Sequence, residues 1–510
     1  MPVRPLPASP SLENLKNQAR TLQRRVRAGD PAALALVGEF DPRSADSSSP
    51  SSGFSLTSAQ LLIARSHGFA SWQRLRDHLD VIDEFARWPD RAPEVSGDAE
   101  EAPLALRDHF LNLACRFYSG DGPRRRDHAR ELLAAHPGVA TVDIHTMAVV
   151  GDVEAVRRLL AEDPSQARRS GGPFDWEPLY YLTYARLGEK GPGRSALATA
   201  RLLLDAGADP NVGYLWQGLP SPFTALTGVF GGGEVHEPPH PQASAVARLL
   251  LEAGADPNDN QTLYNRMFTP ENDHLGLLFE FGLGTDVDSP WRRRMGHTYP
   301  SPAEMVQHQL QRAADHNLVE RVRLLLDHHV DPDGRGYHPH FGDRTPYQLA
   351  VAAGNRDIAR MLVEAGATPT AVDRVQAFLS ACLAGDHADV ERLRSADPAL
   401  VAEAVAREPE AVVRAVRTGR LEAVRLLLDL GFDVNAGGET PLHLAALDGN
   451  LAGVRLLVER GADLGRRDPH HHATPIGWAQ YAADQVGHGD TDRAVLLEQT
   501  VAFLAGLDHD

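Results

Sequence analysis

From about residue 140 to the end, apolar positions come in short runs of helical period, two runs to a unit, with glycine closing each run. The second run is the more regular. Residues 201–211 read Arg-Leu-Leu-Leu-Asp-Ala-Gly-Ala-Asp-Pro-Asn, and 248–258 read Arg-Leu-Leu-Leu-Glu-Ala-Gly-Ala-Asp-Pro-Asn. The phrase returns at 425–435 and 455–463, and decayed copies stand at 277–288, 323–333 and 360–370. The first run opens on Thr or Ser before Pro. It is clearest at 440–450, Thr-Pro-Leu-His-Leu-Ala-Ala-Leu-Asp-Gly-Asn, with partial copies from Thr345, Thr474 and Ser221, and one from Glu177.

Elementary helix chemistry accounts for both phrases. A hydroxyl before Pro caps a helix, and Pro at the first helical position gives up an N–H that would have no partner there. Leu and Ala then fall on one face. Gly354 and Gly449 end first helices in the left-handed region; Gly207, Gly254, Gly431 and Gly461 end second helices. Each unit therefore reads helix, turn, helix, loop. Neither helix can bury its apolar stripe alone, so the units must stack.

These phrases resemble the ankyrin repeat family, most closely at 440–463, and the spacing from Gly431 to Gly461 is near that family's period of about 33 residues. The resemblance implies an all-α, ankyrin-type helix-turn-helix repeat solenoid. It extends over 104–510 as about ten units, several degenerate. In the family, the histidine of Thr-Pro-Leu-His, here His443, is structural. Extra residues interrupt the pattern at 188–194, 231–242, 289–300 and 334–342. The first two are Gly- and Pro-rich, and read as flexible loops on exposed edges.

Residues 1–88 form a small helical N-terminal segment. An amphipathic helix over 11–29 places Leu12, Leu15, Ala19, Leu22 and Val26 on one face and Lys16, Arg20, Arg24, Arg25 and Arg27 opposite. Two further helices follow, capped by Ser58 and Ser71, with Gly68 between them. Residues 41–53 and 89–103 read as polar linkers. The segment resembles the short helical extension of bacterial ankyrin repeat domain-containing proteins. Its two close helices also admit a helix-turn-helix that binds DNA or a protein.

Charge narrows the partners. The chain has 51 basic and 69 acidic residues, a net charge of −18. Residues 1–90 carry 11 basic against 10 acidic residues, so a net −19 lies in 91–510. That disfavours nucleic acid and anionic membranes and favours a basic or neutral partner. Only Lys16 and Lys190 are lysines, and the bias toward Arg, Ala, Gly and Pro suggests a GC-rich bacterial genome. Two cysteines, Cys115 and Cys382, provide no disulfide framework and fit a core position in a reducing cytoplasm. No apolar run is long enough to span a membrane.

No nucleophile elbow, phosphate-binding loop or zinc-protease motif occurs, and no catalytic, cofactor or metal residue is assigned. His470–His472 read as an exposed loop; His338 and His340, on an extended loop, read as contact surface. His236 and His240 flank two prolines and are no helical ligand pair. Gly231–Gly233 could cradle a phosphate, but no lysine follows. What remains is surface. Tyr214, Trp216, Trp291, Arg292, Arg293, Tyr337 and Phe341 lie in or beside insertions, outside the stacking core, and are the residue types that anchor protein interfaces. The expected function is a non-enzymatic scaffold that binds a protein through the concave face of first helices and loop tips. A regulator that uses residues 11–86 to bind DNA or protein is the alternative.

Overall fold

The computed structural model describes residues 6, 10–40, 53–88, 103–116, 118, 121–188, 191–234, 237–338, 340–485 and 491–507. The expected linkers, apart from residues 53 and 103, and His236 lie outside them. Helix makes up 62% of the described residues and strand 4%, an all-α repeat solenoid plus a helical N-terminal region. The chain divides into two compact units, and neither is a continuous stretch. The first joins Met1–Glu94 to Asn211–Thr224 and Asp288–Tyr299; the second contains Val95–Pro210, Ala225–Val287 and Pro300–Asp510. Asn211–Thr224 and Asp288–Tyr299, which lie within the span expected to be solenoid, group with the first unit.

The first unit contains helices Leu12–Arg27, Pro31–Phe40, Leu56–Ser66 and Trp72–Phe85. Ser11 caps the first, which buries Leu15, Ala19, Leu22 and Val26 as its period requires. Ser55 caps the third, accepting from the Ser58 amide at 2.9 Å, so the expected cap at Ser58 lies three residues too late. Ser71 caps the fourth. Gly68 ends the preceding turn at φ +84°. The small sheet is here: β1 (Ala86–Arg87), β2 (Gly213–Trp216) and β3 (Pro222–Thr224), in spatial order β1-β2-β3. β2 pairs parallel with β1, Ala86 opposite Leu215 and Arg87 opposite Trp216, and antiparallel with β3.

In the second unit, helix pairs succeed one another from Pro103–Ala114 with Pro123–Ala135 to Pro475–Gln485 with Thr491–Leu507. First helices pack on first helices, Pro302–Asp315 on Pro346–Ala352 and Pro441–Leu447 on Pro475–Gln485; second helices pack on second helices, Ala196–Asp205 on Ala243–Glu252. Leu442, Leu444, Leu456 and Leu457 are buried in one core that continues to Phe378. Cys115 and Cys382 are buried thiols. His443 takes the role the resemblance implies: Nδ1 lies 2.8 Å from the Thr440 hydroxyl, and Nε2 lies 3.1 Å from the Ala473 carbonyl of the next pair.

Polar side chains also hold successive repeats together. Asn355 Nδ2 donates to the Ala314 and Asp315 carbonyls at 2.7 and 3.1 Å. Arg420 Nη1 reaches the carbonyls of Ala353, Gly354 and Leu383 at 3.0–3.2 Å, and its Nη2 donates to Asn355 Oδ1. These are helix C-terminal carbonyls with no intrahelical donor, the groups a cation caps best.

Candidate interaction surfaces

The insertion residues of the first unit are held from within the unit. Ser289 caps the short helix Pro290–Met295, accepting from the Arg292 amide at 3.1 Å with Pro290 at the first position. That helix delivers Trp291, 2% exposed, whose Nε1 donates to the Asn211 carbonyl at 3.0 Å. Phe85 meets the Trp291 ring edge-on at 5.2 Å, and the Arg294 guanidinium lies 4.7 Å over Phe85 and 4.9 Å over Trp291. Gly213 allows the approach: a Cβ there would stand 2.7 Å from the Phe223 carbonyl oxygen and 3.2 Å from Trp291. Tyr214 is buried, with Arg87 4.5 Å over its ring. Trp216 and Arg292 are half-buried; Arg293 is exposed and pairs with Asp288.

The expectation that insertions leave their large side chains uncovered is therefore corrected for Trp291 and Tyr214. An insertion marks where the repeat pattern stops, and the pattern carries no record of what the extra residues pack against. The basic face of the first helix is also occupied. Arg20 pairs with Glu13 and Arg25 with Asp30, while Arg24 donates to Thr21 and Arg27 to the Phe54 carbonyl.

The insertion at 334–342 lies on the first helix Pro302–Asp315. Gln311 accepts from the Gly336 amide at 3.0 Å and donates to the Arg344 carbonyl at 2.7 Å. A Cβ at Gly336 would stand 2.7 Å from the His308 backbone, so glycine is required by the close approach. Phe341 is buried, which corrects its expected exposure, and Tyr337 is half-buried with its hydroxyl donating to Asn260 Oδ1 at 2.7 Å. Tyr337, His338 and Phe341 ring His308 at 5.2–5.5 Å between centroids. Neither His308 nitrogen has a hydrogen-bond partner. Burial, with His338, Arg312 and His340 nearby, pulls His308 down to about 3. Burial pushes Tyr337 up to about 12.

A second group of this unit carries no insertion signal, and sequence reasoning missed it. Tyr264, Phe268 and Arg312 are half-buried, and Arg417 is exposed. The Arg312 guanidinium lies 5.2 Å over Phe268, and Tyr264 meets Phe268 edge-on at 5.3 Å. The Tyr264 hydroxyl donates to Glu234 at 2.9 Å. Arg312 Nε is buried with no hydrogen-bond partner. Burial lowers the Arg312 pKa, Asp315 acts the other way, and Arg417 adds like-charge repulsion. The Arg312 cation lies on the aromatic face, and exposed Arg417 is near enough to repel it.

The remaining polar motifs are structural. The Gly231–Gly233 amides donate to the Thr227, Glu237 and Asn265 carbonyls at 3.0, 2.8 and 2.8 Å, so none is left for a phosphate. The described residues around that loop are tied into the unit: Arg186 donates to the Pro238 and Gly228 carbonyls, and Arg116 pairs with Glu237. The exposed His470–His472 run wraps a residue the sequence reading passed over, Asp468. Its carboxylate accepts from the amides of His470, His471 and Ala473 and from the Trp478 indole, at 2.6–3.0 Å. Among the described residues, no group of three or more His, Cys, Asp or Glu could hold a metal ion. None of their helices is long and apolar enough to cross a membrane.

A family model for three copies of the ankyrin repeat matches residues 378–468, and the single-repeat model matches 342–374. Ankyrin repeats are present in the C-terminal region. The B-cell lymphoma 3 protein homolog of Mus musculus is 36% identical over 135 residues, 24% of this chain and 29% of that protein. The ankyrin repeat and SAM domain-containing protein 6 of Danio rerio is 33% identical over 165 residues, 31% of this chain and 22% of its own length. The human ARF GTPase-activating protein GIT1 is 38% identical over 105 residues, 19% of this chain and 13% of that protein. The chain thus spans less than a third of each of these relatives. All three are eukaryotic, so the resemblance to bacterial proteins stays an expectation. The ankyrin content supports a role in protein–protein interaction.

Proposed function

We propose that the protein is a non-enzymatic scaffold that binds a protein partner on the repeat surface around Arg312. Tyr264, Phe268 and Arg417 form the contact, and half-buried Tyr337 stands at the insertion beside it. The observation that carries this reading is the partly exposed cluster of Tyr264, Phe268 and Arg312 with exposed Arg417 near it, aromatic and arginine side chains of the kind that anchor protein interfaces. Trp216, Arg292 and Arg293 form a further candidate contact in the first unit; Trp291, Tyr214 and Phe341 support these surfaces from beneath. The reading includes a reducing cytoplasm, where Cys115 and Cys382 remain thiols. The net −19 over 91–510 favours a neutral or basic partner, with association slowing as salt rises.

A photo-crosslinking amino acid at position 268 or 417, compared with one at the exposed second-helix residue Arg360, tests the surface in the native host. A discrete adduct from 268 and 417, absent from 360 and lost in Arg312→Glu, is expected. Equal labelling at all three positions, or none at 268 and 417, refutes the reading.

A further inference from the structure

Phe85, Ala86 and Arg87 continue the helix Trp72–Phe85 into a two-residue strand laid along β2. The contact has the form of peptide recognition by strand addition, in which the main chain supplies pairing and alternate side chains supply specificity. The Gln217 amide donates to the Arg87 carbonyl at 2.8 Å. Phe85 sits against Trp291 and Arg294, and Arg87 lies over Tyr214, so the two alternate side chains each meet an aromatic of an insertion. Ala86 between them is buried. The receiving surface comes wholly from 211–224 and 288–299, over a hundred residues further along the chain.

A strand of two residues with one aromatic anchor is a small contact. It persists here because the segment is covalently part of the same chain, where effective concentrations are on the order of millimolar. We propose that the β2 edge with Trp291 and Arg294 is a docking site for an extended peptide that carries an aromatic residue two positions before an arginine, and that Phe85–Arg87 fills it in cis as a latch. This goes beyond the repeat-surface reading and does not depend on it. With an intrinsic dissociation constant of about 100 μM against about 1 mM of cis competitor, a free peptide binds the closed chain about tenfold more weakly than the open one.

The test uses the full chain and a fluorescent peptide with the sequence of residues 83–90, Asp-Glu-Phe-Ala-Arg-Trp-Pro-Asp. Phe85→Ala, and separately Arg87→Ala, are expected to raise the peptide's affinity about tenfold over the unaltered chain. Adding Arg294→Ala to either is expected to abolish the gain. A peptide with both its Phe and its Arg replaced by Ala is expected not to bind. Two variants keep the test open if one folds poorly, and thermal unfolding by circular dichroism shows which does. Affinity unchanged in both latch variants, or a gain that survives Arg294→Ala, overturns the proposal. Arg312→Glu is expected to leave peptide affinity unchanged, so the two proposals fail separately.

Discussion

Gly354 and Gly461 end helices in the same left-handed region, at φ +71° and +83°, yet their surroundings differ. A Cβ on Gly461 would meet nothing within 4 Å. A Cβ on Gly354 would stand 2.6 Å from the Ala384 nitrogen and 2.8 Å from the Leu383 carbonyl carbon and the Ser380 oxygen, all backbone of the next first helix. Alanine at Gly461 therefore carries only the left-handed strain, about 1 kcal/mol. Alanine at Gly354 carries the same strain and must also push two repeats apart. Overpacking of that kind costs about 1–3 kcal/mol more, and backbone cannot swing aside as a side chain would. The seam is doubly sensitive because Arg420 bonds the Gly354 and Leu383 carbonyls across it. Urea unfolding followed by helical circular dichroism measures both variants. Amide exchange at Leu383 and Ala384 shows whether the seam opens locally, as nearest-neighbour coupling between repeats allows. Gly354→Ala is expected to lose about 1–3 kcal/mol more than Gly461→Ala, with faster exchange at those amides in the first variant alone. Equal losses, or unchanged exchange at 383–384, would refute the close seating of the two repeats.

Leu456→Ala, at a side chain 2% exposed in the shared core, is expected to cost about 2–5 kcal/mol by the same unfolding measurement. His329, at φ +59° and exposed, occupies the position glycine fills in other repeats; His329→Gly is expected to stabilise by about 1 kcal/mol, read as a higher urea midpoint. Burial and the field of Asp209 push Glu177 up to about 7, and its Oε2 is buried with no hydrogen-bond partner. Between the ordinary glutamate value near ~4.3 and 7, the folded protein keeps a proton that the unfolded chain has released, so stability falls as pH rises through that window. Glu177→Gln is expected to stabilise the protein at pH 8 and leave it nearly unchanged at pH 4; equal effects at the two pH values would contradict the shift.

The sequence by itself determined the repeat. Thr or Ser before Pro, the Leu-Leu stripe and the closing glycines act within a few residues of one another, and Thr345, Gly354, Gly449 and Gly461 behave as those local rules require. It also determined the amphipathic helix Leu12–Arg27, whose buried face follows from its period. Tertiary structure decided where the irregular parts go. Nothing local to Trp291 names Phe85 as its neighbour, and nothing local to Ala86 shows that it pairs with Leu215. The Arg312 surface was equally hidden, since Phe268 and Arg312 are far apart in sequence and neither breaks a pattern. Capping, helical period and left-handed termini are short-range effects that a sequence displays residue by residue. Burial and pairing depend on which distant segments share a space, and only the folded chain brings them together.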